Sequence, residues 1–216
     1  MESSELGLRE QKKAMARANA LDVAHVLFRE KGFDQTTLED ICAEAGISKR
    51  TFFRYFKDKE SLVFPNRDTR LEAFRGFLQM YGDADNPFEV LRVATKVFST
   101  EYNSNSDKIL AQQVLINSSG ALRARESEID RDWGLEIAAA FGRRSAPGRP
   151  NELWAAVAAG AVMGVVRATM RQWFAHGCLE DLNELGQMAI DSLERGFPER
   201  LVPAVSGEQS AVSSEQ

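Results

Sequence analysis

One short segment, GISKRTFFRYFKDK at residues 46–59, combines aromatic and cationic side chains at close spacing. Three Phe and one Tyr are accompanied by the cations Lys49, Arg50, Arg54, Lys57 and Lys59. Lys and Arg neutralise phosphates, and both can donate to the O6 and N7 atoms of guanine. The segment therefore has the side chains that a nucleic-acid contact requires.

The charge of the whole chain does not by itself suggest a polyanionic partner. The chain has 27 Lys and Arg against 32 Asp and Glu, which gives a net charge of -5. The first 64 residues are balanced in charge, so the acidic excess falls entirely in the remainder. The positive charge is local to one segment.

Other chemistries receive little support from the residue pattern. Cys42 and Cys178 are far apart, no CxxC motif is present, and neither a metal site nor a cofactor is predicted. We expect Cys42 to be a packing residue and Cys178 to be more exposed. The acids Glu126, Glu128 and Asp130 alternate with cations, as on a solvated helix face, and no catalytic motif is evident, so we predict that the chain is not an enzyme.

Helices must position these side chains, because apolar residues recur at helical spacing along most of the chain. The first helix is predicted from Arg9 to Lys31 and ends at Gly32. Two short helices follow, capped by Thr37 and Ser48, and a fourth begins near Asp58 and runs toward Phe64. Longer helices are predicted at about 66–81, 87–103, 106–118, 121–145, 151–176 and 180–196. With no alternation at strand spacing, the predicted fold class is all-α.

The pattern predicts a small domain at residues 1–64, a larger helical domain at 65–197 and a disordered tail at 198–216. The N-terminus lacks the apolar region of a signal peptide, so a cytoplasmic location is expected. The apolar run that begins at Leu153 is interrupted at Arg167, short of the roughly 20 residues that a membrane span needs. We therefore expect a buried helix and no membrane association.

The two short helices have the spacing of a helix-turn-helix. Gly46 supplies the left-handed backbone of the tight turn, and Ile47 fills the angle between the helices. The second helix would then enter a DNA major groove, with its first residues meeting base edges and phosphates. Phe52 and Phe56, four residues apart, are expected to face inward. The predicted partner is double-stranded DNA.

Residues 36–63, TTLEDICAEAGISKRTFFRYFKDKESLV, resemble the DNA-binding domain of TetR-family (tetracycline-repressor-like) transcriptional regulators. The matching positions are Thr37, Ile41, Ala45, Gly46, Ser48, Thr51, Phe52, Tyr55, Phe56, Lys59, Glu60 and Leu62. The rest of the chain is similar only in being helical and of the usual length. The resemblance implies an N-terminal three-helix DNA-binding domain and a larger C-terminal domain for ligand binding and dimerisation.

It also implies a ligand-responsive regulator, most simply a repressor that binds a palindromic operator as a homodimer and leaves it when a small effector binds. Thr37, Tyr55 and Lys59 resemble phosphate contacts of the family. Phe53 stands where Tyr is common, so a hydroxyl is lost, and the ring could meet a thymine methyl group. The residues expected to face DNA are Thr37, Ser48, Lys49, Arg50, Thr51, Phe53, Arg54, Tyr55 and Lys59. Lys12, Lys13 and Arg17 either reach the DNA or form a solvated basic face.

The family places an effector cavity in the C-terminal helices, where aromatic residues are abundant. The candidates are Phe77, Phe98, Tyr102 and Trp133, although buried helices need such rings to pack, which favours a core position for each one taken alone. The motif TFFRYF at residues 51–56, followed by KESLVF at residues 59–64, also resembles a subgroup whose ligand domain is acyl-CoA-binding-like. A hydrophobic, acyl-type effector is therefore expected.

Small residues in the predicted helix 151–176 would let a partner helix approach closely. The candidate dimer residues, with those of the following helix, are Trp154, Gly160, Gly164, Trp173, Leu185 and Ile190. An intrachain core would give much of the same pattern. The alternatives are an activator of the same fold and a small-molecule-binding or interaction module without DNA-binding activity.

Overall fold

A computed structural model describes residues 2–81, 86–143 and 149–196, and all regular structure in these ranges is helical. This confirms the all-α class. The helices are α1 (Glu2–Lys31), α2 (Leu38–Glu44), α3 (Lys49–Tyr55), α4 (Arg67–Tyr81), α5 (Pro87–Ser104), α6 (Ser106–Ser118), α7 (Gly120–Arg143), α8 (Arg149–Ala175) and α9 (Leu182–Glu194). The tail at 198–216, predicted to be disordered, lies outside the described residues.

Local side chains define both helices of the helix-turn-helix. The hydroxyl of Thr37 accepts from the backbone N–H of Asp40 at 3.1 Å, and the Asp40 carboxylate accepts from the N–H of Thr37 at 3.0 Å. This reciprocal pair is a capping box at the start of α2. Ser48 caps α3 by accepting from the N–H of Thr51 at 3.1 Å. Between the helices Gly46 has φ of +65°, a conformation that glycine adopts without steric cost.

Two helix boundaries differ from those expected. The predicted fourth helix is only a 3₁₀ turn, Glu60–Leu62, because Pro65 disfavours helical geometry at the residue before it. The carboxylate of Asp58 stabilises this turn by accepting from the N–H of Ser61 at 2.9 Å. Helix α1 starts at Glu2, well before the expected start at Arg9.

The N-terminal core contains residues from both halves of the chain. Phe52 and Phe56 are buried there with ring centroids 5.2 Å apart, which confirms that they face inward. Ile116 of α6 and Leu122 of α7 belong to the same buried cluster. The corner between α6 and α7 therefore packs into the core of the small domain. The boundary between 1–64 and 65–197 stays a prediction.

Two further buried clusters hold the larger part of the chain together. One lies among α4, α5, α7 and α8 and includes Phe74, Ile137 and Met163. The other surrounds Trp173 and includes Cys178, so the expectation that Cys178 is exposed was wrong. The segment between α8 and α9 packs against this tryptophan, and Cys178 is thereby buried.

Helix α8 is buried on one side and exposed on the other. Ala155, Ala159 and Val162 are buried, whereas Leu153 and Val157 are exposed. By length and composition alone, residues 151–175 could cross a membrane, and only 22% of the most apolar window is buried. The length argument against a span was therefore wrong, since the helix continues past Arg167. The expectation of burial holds for one face only.

Candidate nucleic-acid interface

The solvent-facing side of α3 presents cationic and aromatic side chains together. Lys49, Arg50, Phe53 and Arg54 are all exposed, and their spacing places them on one face of the helix. Thr51 is half-buried, and its hydroxyl lies 3.0 Å from that of Ser48. The leading end of α3 is thus accessible, and α3 presents the donors expected of a recognition helix.

The aromatic rings of α3 divide between its two sides. Phe53 is 56% exposed, and its ring meets that of buried Phe52 edge to face, with centroids 5.5 Å apart. Tyr55 is half-buried, and its hydroxyl accepts a 2.8 Å hydrogen bond from Arg54. The Arg54 guanidinium also lies over the Tyr55 ring, 4.9 Å from its centroid. Arg54 therefore orients the phenol at the edge of the exposed face.

An ion pair joins the start of α2 to the start of α3. The ammonium of Lys49 donates to the carboxylate of Glu39. This hydrogen bond is the main reason why the pKa of Glu39 is lowered from its ordinary value. The sequence did not reveal the pair, because its members are ten residues apart on different helices. Thr37, also predicted to approach DNA, is exposed at the same end of α2.

Lys59 directly precedes the turn Glu60–Leu62 and lies against the loop before α2. Its ammonium donates to the carbonyl oxygens of Phe33 and Thr36, each at 2.8 Å. It also lies 4.1 Å from the centroid of the Phe33 ring. These contacts use two of its three N–H groups inside the chain. These contacts favour a role for Lys59 in holding the loop that leads to Thr37, and the phosphate contact that the resemblance implied for it stays a prediction.

The cations of α1 fall into two groups. Lys12 and Lys13 are exposed, and Lys13 lies 3.7 Å from Glu10. Arg17 instead donates to the carbonyl of Pro65 at 2.8 Å and covers the ring of Phe56. Only the first two therefore remain candidates for a DNA contact, and both alternatives for them stay open.

The four aromatic effector candidates lie in two places. Phe77, Phe98 and Trp133 surround Phe74, with the Phe74 centroid 4.5 Å from that of Trp133 and 5.9 Å from that of Phe98. Tyr102 lies instead against Trp173, with centroids 6.3 Å apart. The rings of the first group pack on one another, so the structure brings together three of the four.

The candidate dimer residues differ in their exposure to solvent. Trp154 is 49% exposed, Gly160 is exposed, and Gly164 and Leu185 are half-buried. Trp173 and Ile190 are buried within the chain and leave the set of candidate interface residues. The indole N–H of Trp173 donates to the carbonyl of Glu180 at 2.8 Å, which fixes the ring inside its own protomer.

Two acids of α7 do not lie on a solvated face, contrary to the sequence-based expectation. Glu126 and Asp130 are half-buried, and burial raises the pKa of each carboxyl. A side-chain hydrogen bond with Gln113 opposes this rise for Glu126, and the charge of Arg167 opposes it for Asp130. Glu128, between them, is exposed as expected and pairs with Arg125.

Polar contacts connect α6 and α7 to the DNA-binding part. Gln112 donates to the carbonyl of Val63 at 2.5 Å, and Arg125 forms an ion pair with Asp58. Burial alone would raise the pKa of Asp58, but hydrogen bonds from Ser61 and the charge of Arg125 lower it. These contacts fix the turn after α3 to the helices of the larger part.

A capped helix-turn-helix with an exposed, cationic second helix defines this protein as a DNA-binding regulator of the helix-turn-helix class. Residues 20–64 match the family profile described as bacterial regulatory proteins, tetR family. Residues 85–198, more than half of the chain, match the profile of the MftR C-terminal domain. The chain belongs to the TetR family of transcriptional regulators, with a C-terminal domain of the MftR type.

Two named regulators are similar over most of the chain. The mycofactocin biosynthesis transcriptional regulator MftR of Mycobacterium tuberculosis is 27% identical over 152 residues, covering 70% of this chain and 76% of that protein. The HTH-type regulator TcmR of Streptomyces glaucescens is 25% identical over 195 residues, covering 87% and 86%. These relatives support the assignment as a transcriptional regulator.

Solved structures of other regulators share the fold. FadR of Bacillus halodurans superposes with a TM-score of 0.59 at 18% identity, over 86% of this chain and 97% of that chain. The complex of SmeT with triclosan gives 0.57 at 21%, over 82% and 88%. Thermus thermophilus FadR with lauroyl-CoA gives 0.53 at 24%, over 88% and 100%. At these identities the similarity establishes the fold.

Proposed function

We propose that this regulator binds a palindromic operator as a homodimer and represses transcription until a small hydrophobic effector releases it. The observation that carries the proposal is the exposed face of α3, where Lys49, Arg50, Phe53 and Arg54 lie beside the capped leading end. Such a helix fits a major groove with its first residues at the base edges. A cytoplasmic location follows from this role.

The proposed contacts divide by chemistry. Arg50 and Lys49 donate to guanine, Thr51 contacts a base edge, and the Phe53 ring meets a thymine methyl group. Thr37, Ser48, Arg54 and Tyr55 contact phosphates and fix the register of the helix, which phosphate contacts do without reading sequence. These roles distinguish variants that change base preference from variants that weaken all binding.

A homodimer supplies the second recognition helix. The exposed apolar side of α8, formed by Leu153, Trp154, Val157 and Gly160 with half-buried Gly164 beside them, is the proposed contact with a second copy. Two recognition helices about one DNA turn apart then read the two halves of a palindrome. The same contact would account for an apolar helix that is exposed in the single chain.

The proposed effector is acyl-type. Two solved FadR structures are complexes with lauroyl-CoA and stearoyl-CoA, and SmeT was solved with triclosan. In this chain the cluster of Phe77, Phe98 and Trp133 offers an apolar site among α4, α5 and α7. An effector that separated these rings would move α7, whose Leu122 and Arg125 contact the DNA-binding part.

The test is binding to DNA that flanks the coding region of the protein. We expect a specific complex that lauroyl-CoA dissociates, and Arg50→Ala should weaken it by about 5-fold to 150-fold, since one good bidentate base contact contributes about 1–3 kcal/mol. Arg131→Ala, the same change at an exposed position of α7, is the matched control.

The outcomes separate the alternatives. A specific complex that raises transcription in a reporter assay would identify an activator. Ligand binding without any specific, salt-sensitive DNA complex would identify a binding module, and would contradict the proposal.

A further inference from the structure

The ion pair between Glu39 and Lys49 lies at the surface that we assign to DNA. Glu39 occupies the first turn of α2, and Lys49 is the first residue of α3. Their side chains remain 62% and 56% exposed, so the pair is open to an approaching duplex. The caps Thr37 and Ser48, both proposed phosphate contacts, stand next to it at the two leading helix ends.

A carboxylate at this position has to be explained, because DNA phosphates repel it. The positive end of the α2 dipole stabilises a carboxylate in the first turn. Asp40, the other acid of that turn, accepts from the backbone of Thr37 and lies 4.0 Å from Lys31. Glu39 is engaged instead by a residue of the recognition helix itself. Its carboxylate therefore acts directly on a proposed base-reading side chain.

We propose that Glu39 is a positioning residue that neutralises Lys49 and holds it at the leading end of α3, so that Lys49 adds little to sequence-independent DNA binding. The inference rests on the proposed DNA-binding function. A cation that neutralises a phosphate releases counterions, and each such contact adds about 0.9 to the salt dependence of binding. A lysine that keeps its own carboxylate as counterion releases none. It leaves Glu39 only where the operator places guanine acceptors beside it.

Specificity is the ratio of the affinity for the operator to the affinity for other DNA. A lysine that is neutralised by its own carboxylate improves this ratio because it lowers the affinity for other DNA. Removing the carboxylate of Glu39 should therefore strengthen binding to random DNA more than binding to the operator.

The experiment measures binding of the full chain to a random-sequence duplex and to the operator at several salt concentrations. Glu39→Gln is made alone and together with Lys49→Met. We expect Glu39→Gln to steepen the salt dependence on random DNA by about 0.9 when Lys49 is present and by about zero when it is Met. The ratio of operator to random affinity should fall several-fold with Lys49 present. Glu44→Gln, at the other end of α2, is the matched control and should change neither quantity.

Equal steepening with and without Lys49 would show that Glu39 acts by direct repulsion, and would overturn the inference. No steepening in either background would overturn it as well. Failure of the wild-type chain to bind any duplex would instead contradict the proposed function. Thermal unfolding of each variant shows that a change in binding does not reflect a loss of folding.

Discussion

Ser119 donates a 2.7 Å hydrogen bond from its hydroxyl to the carboxylate of Asp34, 85 residues earlier in the chain. Ser119 is fully buried at the start of α7, and Asp34 lies in the loop between α1 and α2. That loop leads directly to Thr37, the cap of the helix-turn-helix. The bond therefore connects the larger helical part to the element that positions the proposed DNA contacts.

We expect Ser119→Ala to lower the free energy of unfolding by about 1–3 kcal/mol, because a hydrogen bond to a charged group is lost at a buried position. It should also weaken the release of operator DNA by effector, since one connection between the two parts is removed. Urea unfolding and DNA release measure these effects. Ser118→Ala, which removes an exposed hydroxyl bonded to the carbonyl of Leu115, is the control and should change stability by less than about 0.5 kcal/mol.

Lys59→Met should destabilise the fold and weaken operator binding without changing its salt dependence. The ammonium is bonded to the carbonyls of Phe33 and Thr36, so its loss leaves two carbonyl groups without their donor. Arg54→Ala, at a proposed phosphate contact, should by contrast reduce the salt dependence by about 0.9. A fall of about 0.9 in the salt slope of Lys59→Met would instead support the phosphate contact that the resemblance implied.

Gly160→Ala should stabilise the protomer and weaken the dimer. A Cβ at Gly160 would meet nothing within 4 Å in the single chain, so replacing glycine in the helix should gain about 0.5–1 kcal/mol. At the proposed interface the added methyl group would separate the partner helices. Analytical ultracentrifugation should show a dissociation constant raised about tenfold or more, which corresponds to about 1.4 kcal/mol. Gly76→Ala, with equal space in α4, should leave dimerisation unchanged.

Glu126→Gln should raise stability at neutral pH and have no such effect in acid. Burial raises the pKa of Glu126 in the folded chain, so the folded state binds a proton more readily than the unfolded state. Stability therefore falls as pH rises from the ordinary value of 4.5 through the folded pKa. Glutamine removes this loss, and the gain over wild type should disappear below about pH 4.5 in pH-dependent unfolding.

Glu128→Gln provides the comparison for this experiment. Its carboxylate is exposed and pairs with Arg125 at 3.0 Å, and pairs of this kind contribute about 0–1 kcal/mol. We therefore expect a small loss of stability at neutral pH. A gain that persisted in acid for Glu126→Gln would contradict the assigned cause.

Local patterns in the sequence were sufficient to predict those features that depend only on residues close together in the chain. Thr37 and Ser48 cap their helices because a hydroxyl reaches the N–H three residues on, and Gly46 makes the turn because its backbone accepts positive φ. The spacing of Phe52 and Phe56 places both rings on one side of α3. These features defined the helix-turn-helix and the face of α3 that remains for DNA.

In the long helices, periodicity alone was a weaker guide to which side chains are buried, because several faces of these helices are apolar. Trp173 and Trp154 both lie on α8, yet only the first is enclosed, because α5 and the turn after α8 pack around it. The same limit applies to Glu126, whose burial depends on the surrounding helices. A pattern of residue types shows which faces are apolar but does not show which neighbour covers them.

Local hydrogen bonding and periodicity were enough to predict the all-helical class and the two short capped helices, and the motif of residues 36–63 carried the resemblance to the family. The contacts of Lys59 with the loop before Thr37 and the pairing of Lys49 with Glu39 are evident only in the folded chain. The hydrogen bond from Ser119 to Asp34 is likewise evident only in the folded chain. Each of these depends on where a charged or polar atom finds its partner in space. Sequence spacing does not determine that distance once the partners lie on different elements.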